Sequence, residues 1–128
     1  MILLLDTHLL LWAAREPQKL PVKARTLMED EAHELWFSAA SIWEVAIKHR
    51  LGRDDFRADP HLLRRGLLDN GYVELAITSE HAVAVEQLPL LHKDPFDRLL
   101  VAQALTEGIT LLTADTLLAQ YSAPVQLV

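Results

Sequence analysis

The chain has 128 residues, of which 51% are hydrophobic and 23% are charged, and it contains no cysteine. This length and apolar content predict a single folded domain over residues 1–128 and exclude an intrinsically disordered chain, disulfides and thiolate metal sites. The 12 basic and 18 acidic residues give a net charge of −6, which argues against a protein that coats nucleic acid electrostatically.

No apolar stretch reaches the ~18 residues that a membrane-spanning helix needs. The apolar beginning of the chain, residues 1–14, is interrupted by Asp6 and His8 and has no basic flank, so we do not expect a signal peptide. Together with the absence of cysteine, this pattern fits a protein of the reducing cytoplasm that has no membrane partner.

Short apolar runs alternate with stretches of helical spacing along the chain. The runs lack the polar alternation of a half-exposed strand, so they predict strands that are covered on both faces. In chain order we predict strand 1–5, helices 8–15 and 21–32, strand 35–37, helices 39–51 and 61–70, strand 72–77, helices 79–88 and 95–107, strand 109–112, helix 116–121 and strand 125–128. This order predicts an α/β fold around a parallel sheet, in which ligands bind beyond the carboxyl ends of the strands.

Four acidic residues are expected near that edge of the sheet. Asp6 directly follows the first strand, and Asp115 follows the fourth strand within three residues. Glu44 and Asp97 lie on helices that begin near the same edge. Glu44 is the only charge in an apolar stretch, and Asp97 is in line at helical spacing with the apolar residues 100, 101 and 104. A carboxylate on the buried side of a helix is costly unless a positive group meets it.

Each acid also has a local explanation as a helix cap. Asp94 and Asp97 fit the N-cap and third position of a helix that starts at Pro95, and Asp6 fits a cap of the first helix. Ser41 and Glu44 fit a capping box, although the apolar run favours a helix that starts at Ser38 and places Glu44 past its first turn. Asp115 fits the first turn of the last predicted helix.

Convergence of these carboxylates on one edge is harder to explain by capping alone. Carboxylates within about 4–6 Å raise one another's pKa unless a cation neutralises them. Oxygen ligands without cysteine favour Mg²⁺ or Mn²⁺ over zinc, and such a cation can activate water for attack on a phosphodiester. The pattern therefore predicts a metal-dependent nuclease site.

Four segments in order resemble the PIN domain, and more closely the VapC-type ribonuclease toxins of bacterial and archaeal toxin–antitoxin pairs. They are Asp6-Thr7, Trp43-Glu44, the segment 92–104 that contains Asp-Pro-Phe-Asp-Arg-Leu-Leu, and Thr113-Ala-Asp115. The resemblance spans nearly the whole chain, and the Asp-Pro-Phe-Asp-Arg-Leu-Leu segment is its most specific part.

The resemblance implies an α/β/α sandwich with a five-stranded parallel sheet and a Mg²⁺- or Mn²⁺-dependent endoribonuclease that leaves a 5′-phosphate. It places the catalytic, metal-binding set on Asp6, Glu44, Asp97 and Asp115. Thr113 is expected to assist. It also implies a homodimer and an antitoxin partner. The nearly all-round apolar helix 8–15 offers modest physical support for both, because one face covers the sheet and the rest needs a partner.

Further polar residues are candidates for auxiliary or substrate-binding roles. His8 stands where the family usually has Asn or Ser, and Asp94 is either a cap or a fifth acid at the rim. Arg98, Lys48 and Arg50 are candidate contacts for RNA phosphates, while Arg98 also has the alternative of pairing with Asp94. Among the other histidines we give His92 a weaker case than His8 and expect the remaining four to face solvent. These four are His33, His49, His61 and His81.

Two other classes of function stay open at this point. A phosphoryl-transfer or phospho-acceptor domain also sets aspartates over a parallel sheet, but it would want a second aspartate where His8 stands or a lysine after Lys93. A non-catalytic interaction domain would use the acids only as helix caps.

Overall fold

The computed structural model describes all residues, 1–128, as a five-stranded parallel sheet with helices on both faces. The strands are β1 (Ile2–Leu5), β2 (Glu34–Ser38), β3 (Val73–Leu75), β4 (Thr110–Thr113) and β5 (Val125–Leu127). The helices are α1 (Thr7–Arg15), α2 (Val22–Glu29), α3 (Ala39–Arg50), α4 (Pro60–Asp69), α5 (Ser79–Ala84) and α6 (Pro95–Glu107). The predicted α/β class and parallel sheet are confirmed.

The strand order β3-β2-β1-β4-β5 places the first strand at the centre of the sheet. From β1 the chain moves outward to β2 and β3 on one side, and it then returns to add β4 and β5 on the other side. The boundary between β1 and β4 is therefore the switch point of the sheet, where open α/β proteins form their ligand-binding crevice.

Both faces of the sheet are covered, as the uninterrupted apolar runs predict. Leu3 and Leu5 of β1 belong to a cluster with α1, α3 and α4, whereas Leu4 points into a cluster on the opposite face with α6. The alternation of side chains along a strand thus divides one apolar run between two cores. None of the helices combines the length and hydropathy required to span a lipid bilayer.

Two predictions about helices are wrong. Leu9, Leu10 and Leu11 of α1 are all buried within this chain, so α1 has no large apolar face left for a partner. Instead of a helix over 116–121 the structure has a turn and a short 3₁₀ helix, Leu118–Gln120. The helix α5 is equally short but begins with a capping box, whereas Leu118–Gln120 has no side-chain cap, which favours the shorter 3₁₀ turn.

Candidate active site

Asp6 lies at the carboxyl end of β1, and its two carboxylate oxygens have different roles. Oδ1 accepts a hydrogen bond from the backbone N–H of Leu9 at 2.9 Å and so caps α1. Oδ2 accepts a hydrogen bond from the hydroxyl of Thr113, which ends β4. Burial raises the pKa of Asp6 even though both hydrogen bonds lower it. Asp6 is therefore a cap and also a member of the candidate site, with Thr113 beside it as expected.

Glu44 lies on the buried side of α3, past the first turn. The N-cap of α3 is Ser38, so the capping-box alternative for Ser41 and Glu44 is wrong. The carboxylate is only 2% exposed, and its Oε1 accepts a hydrogen bond of 2.7 Å from the hydroxyl of Thr7 at the start of α1. A buried carboxylate of this kind needs a positive partner.

That partner is Lys48, one helical turn further along α3. Its Nζ donates to Oε2 of Glu44 and, at 3.3 Å, to Oδ2 of Asp94. Burial alone lowers the pKa of Lys48, but the hydrogen bond and charge of Glu44, followed by those of Asp94, raise it above its ordinary value. The ammonium of Lys48 thus pairs with two carboxylates of the protein, whereas the sequence predicts that Lys48 contacts an RNA phosphate.

Asp94 and Asp97 begin α6 and have distinct surroundings. Asp94 is the N-cap, because its Oδ1 accepts hydrogen bonds from the backbone N–H groups of Phe96 and Asp97. The Asp97 side chain does not cap the helix but points toward the other acids. Burial, followed by the negative charges of Asp94, Glu44, Asp6 and Asp115, raises the pKa of Asp97 to about 8.

Asp115 follows β4 and completes the cluster together with His92. Its Oδ1 accepts a hydrogen bond of 2.8 Å from the backbone N–H of Leu117, and its Oδ2 lies 3.0 Å from Nε2 of His92. The same nitrogen lies 3.3 Å from Oδ2 of Asp97. Candidate ligand atoms of His92, Asp97 and Asp115 all lie within 4.8 Å of one another.

His92 lies in the site, although the sequence gives it a weaker case than His8. The signal that could have found it is its position two residues before the Asp94 cap, where its Nδ1 accepts a hydrogen bond from the backbone N–H of Asp94. His8, which the sequence favours, is half-exposed and has its ring 5.2 Å from that of Phe56 and its Nε2 3.5 Å from Asp55.

Arg98 does not have the phosphate-binding role that the sequence predicts. Its guanidinium is 9% exposed and donates to the backbone carbonyls of Pro89, Val85 and Leu88 and to the hydroxyl of Tyr121. It also makes no pair with Asp94, which is bound by Lys48 instead. Because these hydrogen bonds are directed at the segment before α6 and at Tyr121, Arg98 holds that segment in place and is poorly placed to contact a ligand.

The remaining predicted residues divide between surface and core. Arg50 is exposed at the end of α3. His49 and His61 face solvent as expected, and His33 is partly covered. His81 is wrongly predicted as solvent-facing: it is 1% exposed, and its Nε2 lies 2.8 Å from Glu107. It forms the capping box of α5, which a search for helix-capping residues could have found.

The site thus gathers five carboxylates and one lysine at the switch point of the sheet. The carboxylates are those of Asp6, Glu44, Asp94, Asp97 and Asp115. Lys48 offsets the charges of Glu44 and Asp94, which leaves the others without a cationic partner inside the protein. Hard oxygen donors with excess negative charge fit a Mg²⁺- or Mn²⁺-sized ion. The raised pKa of Asp97 reflects first its burial and then the repulsion by its neighbours, which such an ion would relieve.

Comparison with known proteins identifies the family of the chain. The family profile described as PIN domain matches residues 3–124. Ribonuclease VapC22 of Mycobacterium tuberculosis is 34% identical over 122 residues, which are 94% of this chain and 92% of that protein.

Two solved structures share the fold. One is the crystal structure of VapBC2 from Rickettsia felis bound to a DNA fragment from their promoter, with a TM-score of 0.74 and 15% identity over 98% of this chain and 98% of that chain. The other is VapBC-1 from nontypeable Haemophilus influenzae, with a TM-score of 0.59 and 18% identity over 99% of this chain and 98% of that chain. With a profile match along nearly its whole length and a VapC relative above 30% identity, the chain belongs to the PIN domain family and, within it, to the VapC type.

Proposed function

We propose that this protein is a Mg²⁺- or Mn²⁺-dependent endoribonuclease and the toxin of a toxin–antitoxin pair in the cytoplasm. The observation that supports it most is the convergence of carboxylates around Asp97, whose pKa is raised to about 8 by burial and by their charges. The name of the relative Ribonuclease VapC22 supports RNA as the substrate. The two structural neighbours are described as VapBC proteins, and this supports an antitoxin partner.

In this proposal Asp6, Glu44 and Asp97 hold the cation, and Asp115 completes the site. A bound Mg²⁺ or Mn²⁺ would supply activation of water and neutralisation of charge on the phosphodiester. The protein's own contribution is to hold the oxygen ligands still: Thr113 holds Asp6, and Thr7 holds Glu44.

The positive charges of the site have separate roles. Lys48 pairs with Glu44 and Asp94 in a buried setting, so these carboxylates have a positive partner when no cation is bound. Arg50, exposed on the same helix, is the remaining candidate among the three predicted cations for contact with RNA phosphates.

The test is incubation of the purified protein with single-stranded RNA and Mg²⁺ or Mn²⁺. We expect cleavage that leaves 5′-phosphate ends, stops with EDTA and is lost in Asp6→Asn. The matched control is Asp69→Asn, an exposed acid at the end of α4, which lies at the opposite edge of the sheet and should cleave normally. Cleavage that persists in both EDTA and Asp6→Asn would contradict the proposal, as would a fully folded wild type that never cleaves RNA.

Partner proteins are assigned to two surfaces in the same proposal. A groove of about 560 Å³ between α1 and α4, lined by Ala13, Ala14, Leu62 and Leu67 among others, is proposed to receive the antitoxin. A second copy of the chain is proposed to pack on α3, where Trp43, Ile47 and Leu51 are exposed.

A further inference from the structure

His92 is held in one orientation by hydrogen bonds on both of its sides. Its backbone N–H donates to the hydroxyl of Tyr121 at 3.0 Å, and Tyr121 also accepts a hydrogen bond from the buried Arg98. On the ring, Nδ1 accepts a hydrogen bond of 3.0 Å from the backbone N–H of Asp94. The imidazole is only 14% exposed, so it has little freedom to turn.

The contact with Asp94 determines which ring nitrogen carries the proton. A backbone N–H can only donate, so Nδ1 must offer its lone pair, and the proton of the neutral ring then resides on Nε2. Nε2 is the nitrogen that faces Oδ2 of Asp115 at 3.0 Å and Oδ2 of Asp97 at 3.3 Å. A proton at Nε2 therefore points toward two carboxylate oxygens, which are good acceptors.

The same tautomer leaves no lone pair on Nε2 for a metal ion. Ligation through Nε2 would require the proton to move to Nδ1, where it would face the N–H of Asp94 across 3.0 Å. The proximity of His92 to Asp97 and Asp115 resembles a three-ligand site, but its hydrogen bonds favour a donor over a ligand.

We propose that His92 is a positioning residue of the metal site: its Nε2–H joins Asp97 to Asp115 and orients both carboxylates without binding the ion. Asp115 needs this support most, because it lies after the end of β4 with its side chain 37% exposed. The inference rests on the proposed function in that the two carboxylates serve a divalent cation.

Two substitutions separate the two hydrogen bonds of the ring. His92→Gln keeps an N–H donor near the position of Nε2, whereas His92→Asn keeps an acceptor for Asp94 but has no donor that reaches the carboxylates. We expect His92→Asn to weaken Mn²⁺ binding by about ten-fold or more, as losses of residues that orient metal ligands commonly do, and His92→Gln to restore most of the affinity. The control is His61→Asn, an exposed histidine of α4, which should bind Mn²⁺ like the wild type.

The measurements are Mn²⁺ titration calorimetry and melting temperature for all variants, together with long-range ¹H–¹⁵N spectra of the wild-type imidazoles without metal. We expect the His92 proton on Nε2 and no direct nitrogen coupling in the electron spin-echo spectrum of bound Mn²⁺. A proton on Nδ1, a directly coupled histidine nitrogen, or equal losses in His92→Gln and His92→Asn would each overturn the inference.

RNA cleavage is scored separately, which distinguishes the two proposals. If the variants bind Mn²⁺ in the expected order but the protein does not cleave RNA, the positioning role of His92 stands and the proposed nuclease function is wrong. If the wild type cleaves RNA and His92→Asn binds Mn²⁺ as the wild type does, only the positioning role of His92 is wrong. A wild type that binds no Mn²⁺ overturns both.

Discussion

The carboxyl group of Asp97 has a strongly raised pKa. Its pKa of about 8 lies above the ordinary value of 3.8 because the site is buried and negatively charged. A raised carboxyl pKa means that the folded protein holds a proton that the unfolded chain releases. Its contribution to stability is therefore complete below about pH 4 and is lost progressively as the pH rises to about 8.

We predict that Asp97→Asn removes this dependence. Without metal, the variant should be about 1–3 kcal/mol more stable than the wild type at pH 8, and the difference should shrink toward pH 5. Adding Mg²⁺ or Mn²⁺ should stabilise the wild type and not the variant. Urea unfolding at both pH values, with and without metal, measures this, and an Asp97→Asn variant that is less stable at pH 8 would show that the side chain is only structural.

Arg98 is a buried cation without a carboxylate partner. The carbonyl of Val85 accepts a hydrogen bond from the backbone N–H of Leu88, and the guanidinium donates to the same carbonyl while also binding Leu88 and Tyr121. Its contacts thus join the turn that precedes α6 to Tyr121.

For this reason we predict that Arg98→Met destabilises the protein by about 2–4 kcal/mol, since the hydrogen bonds that tie this turn to Tyr121 are lost together. The surface replacement Arg64→Met, on an exposed side chain, should change stability little. Thermal unfolding measures both. Unchanged stability with weaker RNA binding would instead restore the phosphate role that the sequence suggests.

At the level of the element, α6 begins with two acids that have separate functions. Asp94 supplies the cap, and Asp97 lies in the acidic cluster. The variants Asp94→Ala and Asp94→Ser both remove the charge that meets Lys48, but only serine can still accept the backbone N–H groups.

We therefore expect Asp94→Ser to be about 1 kcal/mol more stable than Asp94→Ala in urea unfolding at pH 7. The pair is its own control, because the lost charge is common to both. Equal stabilities would mean that the salt bridge with Lys48 and not the cap is the main contribution of Asp94.

The elements that carry the acids could be predicted because local patterns determine them. Apolar runs predict buried parallel strands. Because the carboxyl ends of parallel strands lie at the same edge of a sheet, Asp6 and Asp115 reach one edge whatever the order of the strands. Ser38 as the start of α3 also follows from the sequence, and it places Glu44 on the buried side.

What could not be predicted depends on partners distant in the chain. In the sequence Arg98 resembles an exposed residue that binds phosphate. In the structure it donates hydrogen bonds to backbone carbonyls of the segment before α6. Lys48 begins a basic stretch and has a local partner in Glu44, but its second partner, Asp94, lies 46 positions away. His92 belongs to the site because the fold places Asp115, which follows β4, beside it.

At the scale of the whole molecule, α3 exposes a row of large apolar side chains, whereas the leucines of α1 are buried. Trp43, Ile47 and Leu51 recur at helical spacing and are 56%, 37% and 74% exposed. We predict that Ile47→Glu converts a homodimer to a monomer in sedimentation equilibrium at micromolar concentration. A mass that does not change would exclude this face as the dimer contact.

The groove between α1 and α4 gives a complementary prediction. Leu62 lines it and is 65% exposed, so Leu62→Glu should weaken antitoxin binding at least ten-fold, about 1.4 kcal/mol, and leave RNA cleavage by the free toxin intact. Ile47→Glu and Leu62→Glu are controls for each other, because each should affect one partner only. Loss of both interactions in either variant would mean that the two surfaces are coupled.

The central position of β1 also has a consequence for synthesis on the ribosome. Asp6 is translated well before the residue that holds it, because that hydroxyl belongs to Thr113, 107 positions later. Asp115 follows two positions after Thr113. A nascent chain that has not yet reached β4, or one truncated before β4, therefore has no assembled acidic cluster, and any nuclease activity appears only once β4 and Asp115 have emerged and packed beside β1.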